Sequence, residues 1–251
     1  MRHLRSLVQG AVWSASQLIE RAEISVPPVD PLAVGRLRRV KSIERVTMAC
    51  SGALIQLPDG GYIIKLNADE PMVRQNFTAF HEIGHTFFVS PTPAMRSSAK
   101  ELTKSQNREE EYLCDRIAEE LLLPSKFFLP MAREGQRSVA ALSGLARTFG
   151  ASIKATAIRL AHSGIWGCIV IAWRPDSSGA LRYHWSAKPD DMNCYIPGST
   201  ICPGGSGIYR TYLTSKPTAD FEQLDCGGLK GRLYVESERF GRDVLSLVFL
   251  G

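Results

Sequence analysis

His81, Glu82 and His85 stand in the pattern H-E-x-x-H, and these residue types at this spacing can carry out metal-assisted hydrolysis. On a helix, residues four apart lie one above the other, so both imidazoles can reach one ion. Zinc accepts neutral imidazole nitrogen, takes four ligands, and in catalytic sites leaves one position to water. Glu82 sits one step round the helix, where its carboxylate can reach that water without binding the metal. Zinc lowers the pKa of such a water to ~7, so a carboxylate can take its proton at neutral pH. With five His in 251 residues, composition alone produces this pattern on the order of 0.01 times per chain.

The pattern works only on a helix, and the flanking residues predict one. Asn67 or Asp69 is placed to cap its start, and Pro71 falls in the first turn, where a missing N–H costs nothing. Phe77, Phe80, Gly84 and Phe87 or Phe88 follow a helical spacing on an apolar face. Gly84 leaves room for a close neighbour, so this helix reads as buried. Two buried histidines flanking a glutamate need partners, and a metal supplies them.

A third protein ligand is needed. The extended form H-E-x-x-H-x-x-G-x-x-H is absent, because Phe88 and Pro91 stand where its Gly and third His would be. The other common solution is a Glu on a following helix, which residues 107 to 123 make before Pro124 ends it. Glu109, Glu110 and Glu111 compete. Glu109 faces away from most of the apolar stripe, and periodicity does not separate the other two. Asp115 favours Glu111: at i+4 it shares that face and can accept a hydrogen bond from a ligating His, fixing the ring. The remaining acids read as a solvated charge run near a helix N-terminus, where the helix dipole favours them.

Residues 74 to 85, Arg-Gln-Asn-Phe-Thr-Ala-Phe-His-Glu-Ile-Gly-His, resemble the R-x-x-F-T-x-x-H-E-x-G-H segment of the ImmA/IrrE metallopeptidases. Residues 111 to 124 are similar to that family's E-x-x-A-N-x-F-A-x-E-L-L-x-P, with Cys114-Asp115 in place of Ala-Asn and Ile117 in place of Phe. The resemblance covers roughly residues 12 to 162. It implies that His81, His85 and Glu111 hold zinc, that Glu82 is the catalytic base, and that Asp115 keeps the role of an acceptor behind the ligands. It also implies a zinc endopeptidase whose protein substrate is a helix-turn-helix repressor, cut to derepress phage, mobile-element or stress genes.

A chain of 251 residues that is 44% apolar and 22% charged can bury one or two cores and has the balance of a soluble globular protein. No apolar run is long enough to span a membrane. The start, Met1-Arg2-His3-Leu4-Arg5, has the charge of a signal peptide, but Gln9, Gly10 and Ser14 interrupt the apolar stretch that a signal peptide needs next. Leu4, Leu7, Val8, Ala11, Ala15, Leu18, Ile19 and Ala22 trace an amphipathic helix instead. The six cysteines contain no C-x-x-C pair and read as thiols of a cytoplasmic protein. Cys194, Cys202 and Cys226 with His184 match no zinc-finger spacing.

In chain order, the expected helix 4 to 22 is followed by a short one from Pro31 to about Arg39, capped by Asp30. Arg36, Arg38, Arg39 and Lys41 read as a solvated helix end. Strands are expected at 45 to 49, 53 to 57 and 62 to 66, the last two as a hairpin leading into the metal helix. An edge strand there can hold a peptide by strand addition. Residues 90 to 106 read as a loop over the site, 125 to 134 as a helix, and 137 to 148 with 152 to 162 as a helix-turn-helix-like pair. From residue 164 the pattern turns to strands at 165 to 173, 181 to 186 and 243 to 250, with loop material at 197 to 200 and 203 to 207. The expected fold class is α+β: a zincin-like helical metallopeptidase domain with a small antiparallel sheet over 1–135, a helical pair over 136–163, and a C-terminal sheet-containing domain, sensor-like in longer relatives, over 164–251. For an additional oxyanion donor, Tyr112, His162 and His184 qualify by residue type.

The rival reading is a DNA-binding or ligand-sensing regulator in which the metallopeptidase part is mainly a docking platform. Its basis is the stretch from Gly135 to Pro175, which has no acid against Arg137, Arg147, Lys154, Arg159 and Arg174. No residue is assigned to nucleic-acid binding, because a few phosphate contacts give only non-specific affinities of about 10⁻⁴ to 10⁻⁶ M. Fluorescence anisotropy on random duplex DNA should therefore show weak binding, at most, that disappears as salt is raised. Tight sequence-specific binding at physiological salt would promote the regulator.

Overall fold

Apolar residues at helical spacing open the chain. Ala15, Leu18 and Ile19 are buried on one face of α1 (Arg2–Arg21). The structure, a computed structural model, describes residues 2–88 and 104–250. It is an α+β chain that divides into two compact units, residues 1–128 with 147–152 and residues 129–146 with 153–251. Two boundaries between the units fall within helices α5 (Ser125–Glu134) and α6 (Val139–Phe149), and the third precedes Ile153.

In the first unit, Asp30 accepts from Leu32 N–H and Pro31 takes the first position of α2 (Pro31–Arg36), as its sequence predicts. Strands β1 (Val40–Val46), β2 (Gly52–Gln56) and β3 (Tyr62–Asn67) form a sheet in the order β1-β3-β2. The expected β2–β3 hairpin is present, closed by Leu57 N–H to Gly61 C=O. The sheet, however, is mixed rather than antiparallel: β1 runs parallel to β3, with a register irregularity between Val40 and Ser42, and begins five residues earlier than expected. Alternation is hidden there because three of the seven positions of β1 are charged, Lys41, Glu44 and Arg45. On β3 the alternation is plain: Tyr62, Ile64 and Leu66 are buried.

The chain then enters α3 (Met72–His85). Neither Asn67 nor Asp69 caps it. Asn67 instead accepts from Asp69 N–H in a local turn, and Pro71 precedes the helix with no side-chain cap. The far end is held by Arg38, half-buried rather than solvated. Its Nε donates to Thr86 Oγ1 at 3.1 Å, its Nη2 to the Thr86 carbonyl at 2.7 Å, and its guanidinium lies 4.2 Å from the Phe87 ring centroid. A cation at the C-terminal end of a helix complements its dipole.

Helix α4 (Lys104–Leu122) starts three residues before the expected position; the rest of the expected loop, 90 to 103, lies outside the described residues. Leu113, Cys114, Ile117, Ala118 and Leu121 are buried on it, and α1 and α3 both pack against it. A Cβ on Gly84 would lie 3.1 Å from Cys114 Cα and 3.3 Å from its carbonyl oxygen, so α3 and α4 approach backbone to backbone there.

In the second unit, five antiparallel strands run in the order β5-β4-β8-β7-β6: β4 (Cys168–Pro175), β5 (Leu181–Ala187), β6 (Thr218–Cys226), β7 (Leu229–Phe240) and β8 (Asp243–Phe249). Both faces of β4 are buried, which explains its unbroken apolar run. Ile169, Ile171 and Trp173 share a core with Val235, Val244, Val248 and Ile208, and α7 (Ile153–Ser163) packs against β4 and β5. Ser206, in a stretch that reads as loop, caps α8 (Gly207–Thr214) by accepting from Tyr209 N–H. Sequence reading missed α8, β6 and β7. The helix has only eight residues, and charged and polar residues break up the apolar pattern of both strands.

Gly84→Ala should lower stability by about 1–3 kcal/mol, because the added carbon meets helix backbone rather than a side chain that can swing away. Gly10→Ala, where nothing lies within 4 Å, should instead be neutral or raise stability by up to ~1 kcal/mol from helix propensity. Urea denaturation of the metal-free proteins checks both.

Candidate metal centre

Helices α3 and α4 run antiparallel at the site, since His81 meets Asp115 while His85, further along α3, meets Glu110. Each helix offers residues at i and i+4: His81 and His85 on α3, and two adjacent rows, Glu110 with Cys114 and Glu111 with Asp115, on α4. The Nε2 atoms of both histidines face Glu111, at 3.2 Å from Oε2 for His81 and 3.6 Å from Oε1 for His85. His81, His85 and Glu111 present ligand atoms all within 4.8 Å of one another. Two imidazole nitrogens and one carboxylate are a donor set that suits zinc.

The opposite ring nitrogens are engaged as well. His81 Nδ1 lies 2.9 Å from Asp115 Oδ1, and His85 Nδ1 lies 3.0 Å from Glu110 Oε1 and 3.5 Å from Cys114 Sγ. His85, Glu110 and Cys114 form a second group with ligand atoms within 4.8 Å. Burial pushes the Cys114 thiol far above its ordinary range, so this sulfur stays protonated in the metal-free protein.

Glu82 is buried beside these rings. Its burial raises its pKa, opposed by His85, His81 and the Leu54 backbone amide. Leu54 belongs to β2, which among the described residues pairs only with β3. Ser51 C=O and Leu57 N–H point towards β3, so Gly52, Leu54 and Gln56 direct their backbone groups to the other side. Gly52 is required there: a Cβ on it would lie 2.4 Å from Thr78 Cγ2 and 3.2 Å from Glu82 Oε1. The strand thus runs directly over the start of the H-E-x-x-H turn.

The structure brings together His81, Glu82, His85, Glu111 and Asp115, all five of the residues picked out in the sequence. Two participants were missed, Glu110 and Gly52. Glu110 read as part of a charge run, and only the phase of α4 against α3 distinguishes it. Gly52 falls just outside the expected strand 53 to 57. Tyr112 is exposed on α4, whereas His162 and His184 belong to the second unit.

Residues 45–161 match the IrrE N-terminal-like domain, Peptidase_M78. Over those residues the chain is similar to the IrrE N-terminal-like domain. Both motifs, 74 to 85 and 111 to 124, fall within the matched residues. Among solved structures, a Mycobacterium tuberculosis transcriptional regulator is similar over 98% of this chain and 79% of its own, with a TM-score of 0.63 and 13% identity. At that identity the likeness is one of fold. No curated protein matches. Among the described residues, no helix is long and apolar enough to cross a membrane.

In the metal-free protein the His81 pKa is raised above 6.5: burial lowers it, but the Asp115 hydrogen bond and the charges of Asp115, Glu82 and Glu111 together outweigh burial. A raised native value means the folded state binds the proton more tightly. This contribution to stability is complete below pH 6.5 and fades as pH rises through the native pKa. Titration by NMR after chelation should place His81 above 6.5 and show it lower in Asp115→Asn. An unchanged value in that variant would remove Asp115 as the cause.

Proposed function

We propose that this IrrE-type chain is a zinc-dependent endopeptidase of narrow specificity. The observation that carries the reading is the convergence of both histidine Nε2 atoms on Glu111, with Glu82 buried beside them under the outer side of β2. His81, His85 and Glu111 would hold the ion and Asp115 would orient His81. When bound, zinc supplies Lewis acidity toward the scissile carbonyl and acidifies the attacking water. Glu82 accepts the proton of that water and returns it to the leaving amine. A substrate strand laid along β2 would use the outward backbone groups at Gly52 and Gln56, and would place its scissile bond beside Glu82.

The substrate is, on our reading, a helix-turn-helix repressor in the cytoplasm, cut once in an exposed loop or linker. This rests on the family resemblance. Selectivity has to come from outside the metal site, because every peptide carbonyl looks alike to it. The DNA-binding alternative draws on the acid-free stretch 135 to 175, but two of its five cations are committed elsewhere. Arg159 is buried, and Arg174 makes a bidentate pair with Asp243 at 2.6 and 2.7 Å.

The purified protein should carry about one zinc per chain. His81→Ala and His85→Ala should abolish retention, and Glu111→Ala should weaken it severely. Glu82→Gln should keep the metal and lose cleavage, because an amide cannot act as base. Co-incubation with a helix-turn-helix repressor from the same genome, with and without chelator, followed by intact-mass analysis, reads the cleavage. Rapid digestion of casein by the wild type would sink the narrow specificity while leaving the chemistry; metal loss in Glu110→Ala but not in Glu111→Ala would overturn the ligand assignment.

A further inference from the structure

The Nδ1 atoms of the two histidines are not equivalent to their Nε2 atoms, and the way each is held decides what the ring can offer a metal. A neutral imidazole carries one N–H and one lone pair. For Nε2 to serve as a donor, the proton must sit on Nδ1, and an acceptor at Nδ1 keeps it there. For His81 that acceptor is Asp115, which the motif already suggests. For His85 the atoms in place are Glu110 Oε1 at 3.0 Å and Cys114 Sγ at 3.5 Å. A thiol sulfur is a weak acceptor at a longer distance, so the carboxylate oxygen is the effective partner.

We propose that Glu110 is a positioning residue of the metal centre: it accepts the Nδ1–H of His85 and so turns His85 Nε2 toward the ion, as Asp115 does for His81. The inference rests on the zinc reading above and extends it. Glu110 is not a spare acid of the run 109 to 111. Its side chain is only 26% exposed, against 48% for Glu111, although the two are adjacent in sequence. It lies one helical position before Glu111, so it points to the far side of His85 while Glu111 points between the two Nε2 atoms. Three acids of α4 thus divide three tasks. Glu111 faces the donors, and Glu110 and Asp115 stand behind one ring each. The grouping of His85, Glu110 and Cys114 also satisfies the spacing of a metal site. The 3.0 Å separation of Nδ1 and Oε1 is, however, a direct hydrogen-bond distance. A second ion on Nδ1 would also require His85 to lose both protons while serving the first.

The test measures zinc affinity by competition with a chromophoric chelator, on the full chain, for Glu110→Ala, Glu110→Gln and Glu111→Ala. Circular dichroism checks that each is folded. Glu110→Ala should bind zinc about 10- to 100-fold more weakly than wild type. Glu110→Gln should recover most of that loss, because its amide oxygen still accepts the Nδ1–H. In zinc-loaded wild-type protein the His85 Nδ1–H should give a slowly exchanging proton signal, lost in Glu110→Ala and present in Glu110→Gln. Wild-type affinity in Glu110→Ala, while Glu111→Ala loses zinc, would overturn the role of Glu110 and leave the metal centre intact. Loss as complete as in Glu111→Ala, without rescue by Gln, would make Glu110 a ligand. Two zinc ions per chain would assign Glu110 to a second site. Zinc binding unaffected by His81→Ala, His85→Ala and Glu111→Ala would instead remove the metal centre itself.

Discussion

The close approach of α3 and α4 at Gly84 is the constraint on which the rest of the first unit depends. Helices with ordinary side chains at their crossing keep their axes about 8–10 Å apart. Here the missing Cβ of Gly84 lets Cys114 backbone come within van der Waals contact. One turn either side of that crossing, the carboxylates of α4 reach the imidazole nitrogens of α3 at 2.9 to 3.6 Å. Short acidic side chains could not bridge a wider gap without abandoning one ring or the other.

That geometry also sets the electrostatics. Glu82, Glu110, Glu111 and Asp115 crowd around two imidazoles, and no Lys or Arg shares those contacts among the described residues. Such an excess of negative charge is costly when buried, and a divalent cation is the natural complement. The buried Glu82 has a raised pKa because burial disfavours its charged form, against the opposing effect of the two histidines and the Leu54 backbone amide. The strand therefore does two things at once. It steadies the carboxylate, and it turns the backbone groups of Gly52 and Gln56 outward, where Cys50 Sγ lies 3.4 Å from the Gly52 carbonyl oxygen.

The second unit is organised on a different principle. Its sheet is held by apolar residues on both faces of β4, with a buried polar chain in which Trp173 Nε1 donates to Ser246 Oγ, 3.2 Å away, and Ser246 and Ser237 hydroxyls meet at 2.8 Å. Trp166 Nε1 donates to the Ala132 carbonyl and ties the end of α5 to the entry of this sheet, which accounts for the second half of α5 belonging to this unit rather than to the first.

H-E-x-x-H at 81 to 85 and the four-residue spacing of Glu111 and Asp115 were legible because helical periodicity is a local property: residues four apart share a face whatever surrounds them. The β2–β3 hairpin, the buried run of β4 and the cap of α2 were legible for the same reason, each depending on a few neighbouring residues. What the sequence could not decide was anything that depends on the phase of one element against another. Glu110 and Glu111 have the same apolar pattern behind them, and only the antiparallel docking of α4 on α3 separates their directions. Gly52 is a turn residue by type and a contact to Thr78 and Glu82 only by position. Arg38 reads as a solvated cation until the end of α3 comes to rest against it. β1 beside β3 and α5 divided between the units are likewise outcomes of packing, in which the burial of whole faces overrides the weak preferences of individual residues. Local spacing determined which residues can do chemistry in this protein; the docking of helix on helix and strand on helix decided which atom of each faces which.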